Sequence, residues 1–112
     1  MWQKSCALAR KVYVHTGGFP KEEVYGLTSQ MRRAAVSIPS NLAEGAGRAT
    51  PAEFKRFMAI ARGSLAELQT LVVLAEDFGY LGATQASELN AQMEEIARML
   101  YGLDRSVSPG KA

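Results

Sequence analysis

The chain has 112 residues, 47% of them hydrophobic in the broad sense, with 13 Lys+Arg against 11 Asp+Glu. That length supports one small domain; 17 of the apolar residues are alanine, so the core is modest and self-association is expected. The single cysteine, Cys6, excludes an intramolecular disulfide framework, and the longest unbroken aliphatic run, Leu71 to Ala75, is too short to cross a bilayer.

Glycine and proline cut the sequence into four segments, each with helical apolar spacing. The first helix is expected over 2–16, with Trp2, Cys6, Ala9 and Tyr13 as its stripe and Leu8 and Val12 flanking it. Lys4, Arg10 and Lys11 are scattered through it, so it does not read as a secretory signal, and a cytoplasmic protein is expected. After Gly17-Gly18-Phe19-Pro20, a second helix is expected over 21–46, with Leu27, Met31, Ala34, Ile38 and Leu42 facing inward. Pro39 removes a donor and crowds the carbonyl of Ala35, which predicts a kink and not an end.

Thr50-Pro51-Ala52-Glu53 opens the third helix, over 51–78. Thr50 can cap an orphan N–H, Pro51 sits where its missing N–H costs nothing, and Glu53 can complete a capping box. Phe54, Met58, Ala61, Leu65, Leu68, Val72 and Ala75 give its core stripe, and Gly79 suits a left-handed stop. Phe57, Ile60, Leu71, Leu74 and Phe78 widen the apolar arc to roughly 200°, more than one core needs; they are assigned to an oligomer interface. A fourth helix is expected over 83–105, with Leu89, Met93, Ile96, Leu100 and Leu103, followed by a flexible tail over 106–112. Four helices with short connections make an all-α, antiparallel up-and-down bundle.

Charge is unevenly spread. Residues 1–31 carry +2, residues 32–62 carry +4 and residues 63–112 carry −4. Arg33, Ser37, Asn41, Glu44 and Arg48 step by four, four, three and four along one face of the second helix. With Ser64 and Glu67 of the third helix they form a polar seam. It reads either as a structural interface network or as a phosphate-contacting surface. Arg32, Arg33, Arg48, Lys55, Arg56 and Arg62 are the candidate nucleic-acid-binding residues. The competing reading pairs the cations of the third helix with Glu88, Glu94 and Glu95 of the fourth.

Gly45-Ala46-Gly47-Arg48 follows a helix and lacks a Lys-Ser/Thr ending, so it reads as a helix stop and not as a phosphate loop. Gly63 costs about 1 kcal/mol in mid-helix and predicts close approach by another helix or room for a partner side chain. His15 is the only histidine, no general-base constellation can be assembled around it, and the Glu-x-x-His spacing of di-metal bundles is absent. The reading is therefore non-enzymatic, with no catalytic residue, metal or cofactor expected.

The run from Tyr25 to Gly45, YGLTSQMRRAAVSIPSNLAEG, resembles the signature of the four-helix-bundle family of 23S rRNA intervening-sequence proteins. The likeness continues through Glu53-Phe54, Phe57, Ile60 to Leu65 and Glu67, and ends near Tyr101-Gly102-Leu103. Trp2-Gln3-Lys4 resembles the middle of the family's first helix, so either helix 1 is short here or the true start lies upstream. Ala46 stands where the family often has an aromatic. The resemblance implies a ring-shaped homopentamer. It also implies a connection to ribosomal RNA inserts or to nucleic-acid-binding accessory proteins of a retroelement reverse transcriptase. The partners to be weighed are thus a second copy of the chain, RNA or DNA, and a protein such as a reverse transcriptase, with no membrane role.

Overall fold

The computed structural model describes residues 1–107. The described chain is four helices and no strand: α1 (Trp2–Thr16), α2 (Leu27–Ala46), α3 (Pro51–Asp77) and α4 (Ala83–Ser106). Each helix packs on its neighbours in the chain, and α1 also packs on α4, closing a four-sided bundle of 51 × 24 × 19 Å. Val107 packs on the core just beyond α4, and residues 108–112 of the expected tail lie outside the described residues.

The core stripes of α3 and α4 follow the heptad rhythm. Met58, Ala61, Leu68 and Val72 of α3 meet Leu89, Met93, Ile96 and Leu100 of α4, and every one is fully buried or within 1% of it. Burying each such Leu, Ile or Met side chain favours folding by about 1.5–3 kcal/mol. Helix α2 contributes Met31, Ala35 and Ile38 and runs unbroken through the buried Pro39.

Helix α1 presents a different face from the one its aromatics suggest. Trp2 and Tyr13 are about half exposed, and the buried stripe is Ser5, Leu8, Val12 and Thr16. Two polar residues disguise that stripe. Their hydroxyls are satisfied by the helix's own carbonyls: Ser5 Oγ donates to Met1 O at 3.1 Å and Thr16 Oγ1 to Val12 O at 2.7 Å. A hydroxyl bonded back to its own helix can sit in a core where an unbonded one could not.

The second helix begins at Leu27, not at residue 21, because a short 3-10 turn over Lys21–Glu23 comes first. Glu23 sets the boundary: its carboxylate accepts from Leu27 N at 3.0 Å and from the Tyr80 hydroxyl at 3.1 Å. One side chain thereby caps α2 and ties its start to the α3–α4 turn. The bond to Glu23 holds the Tyr80 phenol above its usual pKa. In that turn Gly79 adopts φ +81°, and the amides of Tyr80 and Leu81 both reach the carbonyl of Ala75. At the other end of α3, Thr50 Oγ1 accepts from Glu53 N at 3.2 Å, while the Glu53 carboxylate turns to Arg56 and leaves the capping box half made.

The glycine stop falls at Gly47, which caps α2 just after Ala46, while Gly45 lies buried inside the helix. A Cβ there would stand 2.8 Å from Phe57 Cβ and 2.9 Å from Phe54 Cδ1. Glycine is what lets α2 and α3 close over the two phenylalanines. Gly45→Val is expected to lower unfolding stability by about 2 kcal/mol through overpacking, read as a reduced midpoint in urea with little change in slope.

Candidate functional site

Helices α2 and α3 bring the polar seam together along their joint. Ser37 Oγ and Ser64 Oγ lie 2.8 Å apart, and Asn41 Nδ2 donates to Ser37 O at 2.8 Å and to Ser37 Oγ at 2.9 Å. Beside them opens a groove of about 580 Å³, walled by Tyr25, Ser29, Gln30 and Arg33 from the α2 side and by Ser64 and Glu67 from α3. Arg33 and Glu67 are both exposed, and among the described residues neither enters an ion pair. Further along α2, Arg48 Nη2 pairs with Glu44 at 2.6 Å.

The six candidate nucleic-acid contacts have different neighbours within the chain. Arg32 points toward α1: its Nε donates to Thr16 Oγ1 at 2.8 Å, its Nη2 to Tyr13 O at 3.4 Å, and its guanidinium lies 4.5 Å from the Tyr13 ring centre. Arg33 lines the α2–α3 groove. Arg48 and Arg56 both lie over the Phe57 ring, at 5.0 and 4.7 Å from its centre, and Arg56 also pairs with Glu53 at 3.2 Å. Lys55 and Arg62 turn to α4, where both meet Asp104, at 3.4 and 3.2 Å.

Pairing with the fourth helix thus occurs, but not through the glutamates expected for it. Glu88 holds Lys11 at 3.5 Å and His15 at 2.9 Å, Glu95 holds Lys4 at 3.2 Å, and Glu94 takes Arg98 of its own helix at 2.9 Å. The lone histidine is a strut between α1 and α4. Its hydrogen bond, helped by Lys11, holds the Glu88 carboxyl below the usual range. Asp104 is likewise held low: burial opposes this, but the bonds from Arg62 and Lys55 outweigh it.

The second apolar stripe of α3 divides in two. Phe57 and Leu71 are buried within the chain itself and are not free for a partner, whereas Ile60, Leu74 and Phe78 are exposed. A second exposed row runs beside the latter, Ala59, Gly63, Ala66, Thr70 and Val73, spaced four, three, four and three. Among the described residues, nothing beyond Gly63's own stretch of helix lies within 4 Å of where its Cβ would be, so none of the other described helices makes the expected close approach. Among the described residues no cluster of three His, Cys, Asp or Glu side chains could hold a metal ion.

Over residues 1–102 the sequence matches the family described as 23S rRNA-intervening sequence protein. The chain belongs to that family. A solved structure of similar fold is a protein of unknown function from the S23 ribosomal protein family of Bacteroides thetaiotaomicron VPI-5482. It is 21% identical to this chain and superposes with a TM-score of 0.83 over 92% of this chain and 96% of its own, a likeness of fold. The search of curated proteins finds no match. The matched family is described by its link to an rRNA insert and not by a reaction.

Asp104 decides how much positive charge helix α3 offers. Asp104→Asn releases Lys55 and Arg62 and is expected to raise retention on a polyanion such as heparin at low salt, with the gain lost as salt rises. A carboxyl whose folded pKa is depressed stabilises the fold above its unfolded pKa, and that contribution disappears as pH falls through the lower folded value. The stability gap between wild type and Asp104→Asn is therefore expected to be present at neutral pH and to close in acid, below about pH 4. Urea unfolding at several pH values checks it.

Proposed function

We propose that this family member is a non-enzymatic bundle that assembles with copies of itself into a closed ring, five copies as the resemblance implies, and serves as a scaffold for a larger complex. The observation that carries the reading is the outer face of α3. Over an 18-residue window this helix is long and apolar enough to span a bilayer, a property that counting unbroken aliphatic runs missed, yet only 39% of the window is buried in the chain. Its core stripe is already occupied by α2 and α4. The remainder exposes Ile60, Leu74, Val73 at 53% and Phe78 at 58%, around a row of small residues centred on Gly63. Small residues flanked by larger apolar ones allow a second helix to approach closely, and desolvating such a face favours association.

Phosphate binding by α2 and α3 is less well supported. Arg32, Arg48, Lys55, Arg56 and Arg62 would each have to give up a partner or a stacking contact within the chain. Such exchange is affordable at a screened surface, but it removes the free positive field that would steer a polyanion. Strong retardation of RNA or duplex DNA at physiological salt, abolished by Lys55→Ala and Arg62→Ala together, would favour this alternative.

The variants separate assembly from folding. Leu74→Glu and Ile60→Glu alter exposed positions; they are expected to leave helicity intact while light scattering shows the assembled mass falling to that of one chain. Phe57→Glu and Leu71→Glu alter buried positions and are expected to unfold the bundle. Gly63→Ala should stabilise the isolated bundle, measured in the Leu74→Glu background, by up to about 1 kcal/mol while weakening assembly of the otherwise native chain. A native chain of single-copy mass at every concentration would overturn the reading.

A further inference from the structure

The groove between α2 and α3 is separate from the outer face of α3 and has its own chemistry. Its volume, about 580 Å³, is in the range of small-molecule sites. Its wall is made of hydrogen-bonding groups, with a cation on one helix and an anion on the other. Most other charged groups along these helices pair within the chain. Arg33 and Glu67 line one cavity with opposite charges and do not meet in an ion pair.

The hydroxyl pair adds a polar group that can donate or accept. Asn41 Nδ2 donates to Ser37 Oγ, so that oxygen serves as an acceptor. Ser64 Oγ lies 2.8 Å from Ser37 Oγ, and either hydroxyl can donate to the other. With Ser37 as the donor of that pair, Ser64 has its O–H to offer at the groove wall, one helical turn from Glu67. The groove therefore offers a guanidinium and a hydroxyl donor for an anionic group, and a carboxylate acceptor for a cationic one.

We propose that this groove is a binding site for a zwitterionic amino-acid head group, the ligand's carboxylate on Arg33 and Ser64 and its ammonium on Glu67. Tyr25, whose ring is almost wholly exposed at the groove's edge, is the surface on which the ligand's side chain rests. Both charged contacts lie at a hydrated surface, so the affinity expected is weak, with Kd on the order of 1 mM. The proposal does not depend on ring assembly, since the groove is complete within one chain.

The test titrates free glycine, leucine and glutamine into the isotopically labelled native protein and follows the backbone amides of Ser37, Ser64 and Glu67 by NMR. Saturable shifts at these amides are expected with the free amino acids. N-acetyl-leucine lacks the ammonium and leucinamide lacks the carboxylate, so each is expected to bind about tenfold more weakly than leucine. Arg33→Gln and Glu67→Gln change exposed side chains and should leave the fold intact. The first is expected to weaken leucine about tenfold, and the second to abolish the preference for leucine over N-acetyl-leucine. Equal binding of leucine and N-acetyl-leucine to the native protein would reduce the site to a plain anion contact and overturn the proposal. So would unchanged binding in Arg33→Gln, or the absence of groove shifts with all three amino acids up to about 20 mM, some twenty times the expected Kd.

Discussion

The close contact of α2 with α3 over Gly45 is the constraint on which the rest of the bundle depends. Without a side chain at that position, α2 comes down on Phe54 and Phe57, and an added Cβ would sit 2.8 Å from Phe57. That approach buries Phe57 and makes it a platform for Arg48 and Arg56. Along the same joint, Ser37 and Ser64 come within hydrogen-bond distance. Beside that serine pair lies the Arg33–Glu67 groove. A single glycine thus sets a packing distance and the place of the ring on which two arginines rest.

Charge in this molecule serves first to fasten helices together. Lys4, Lys11 and His15 of α1 reach α4, and Lys55 and Arg62 of α3 reach it from the other side. Exposed pairs of this kind each contribute little to stability, commonly 0–1 kcal/mol or so, but they set orientation. The acidic side chains of the fourth helix thus meet basic ones from both neighbouring helices, and segments of +2, +4 and −4 sum to a nearly neutral chain. Arg32 fits the same logic, tying α2 to the end of α1 through Thr16 and Tyr13.

Much of the architecture was legible in the sequence because heptad spacing in α3 and α4 is repeated often enough to fix a face. Family resemblance then fixed the assignment of the chain as a whole. Helix α1 was misread because its buried stripe begins and ends in hydroxyls, and Trp2 and Tyr13 drew the reading to the opposite side. The start of α2 was misplaced because its cap comes from Glu23, four residues upstream, after a 3-10 turn. The polar seam could be found by spacing, since its members share one helix face. Its partners across the joint, and the choice of Asp104 as the acceptor for Lys55 and Arg62, depend on how the helices dock, and periodicity along one helix carries no such information. The wide apolar arc of α3 was seen correctly as too wide for one core, but Phe57 and Leu71 fell on the inner side of the boundary.

The two flanks of α3 beyond its core stripe ask for different partners. The outer flank combines small residues with the exposed Ile60, Val73, Leu74 and Phe78, and gains by losing water. The α2–α3 flank combines Arg33, Ser64 and Glu67, which lose by desolvation unless each finds a matched group. Burying both flanks against one partner would require that partner to be apolar and charge-complementary at once. Leaving the groove open while the outer flank is covered meets each requirement separately. Gly63 lies on the outer side of that division, next to Ser64 on the inner, so one turn of α3 marks the border between a surface that packs and a surface that binds.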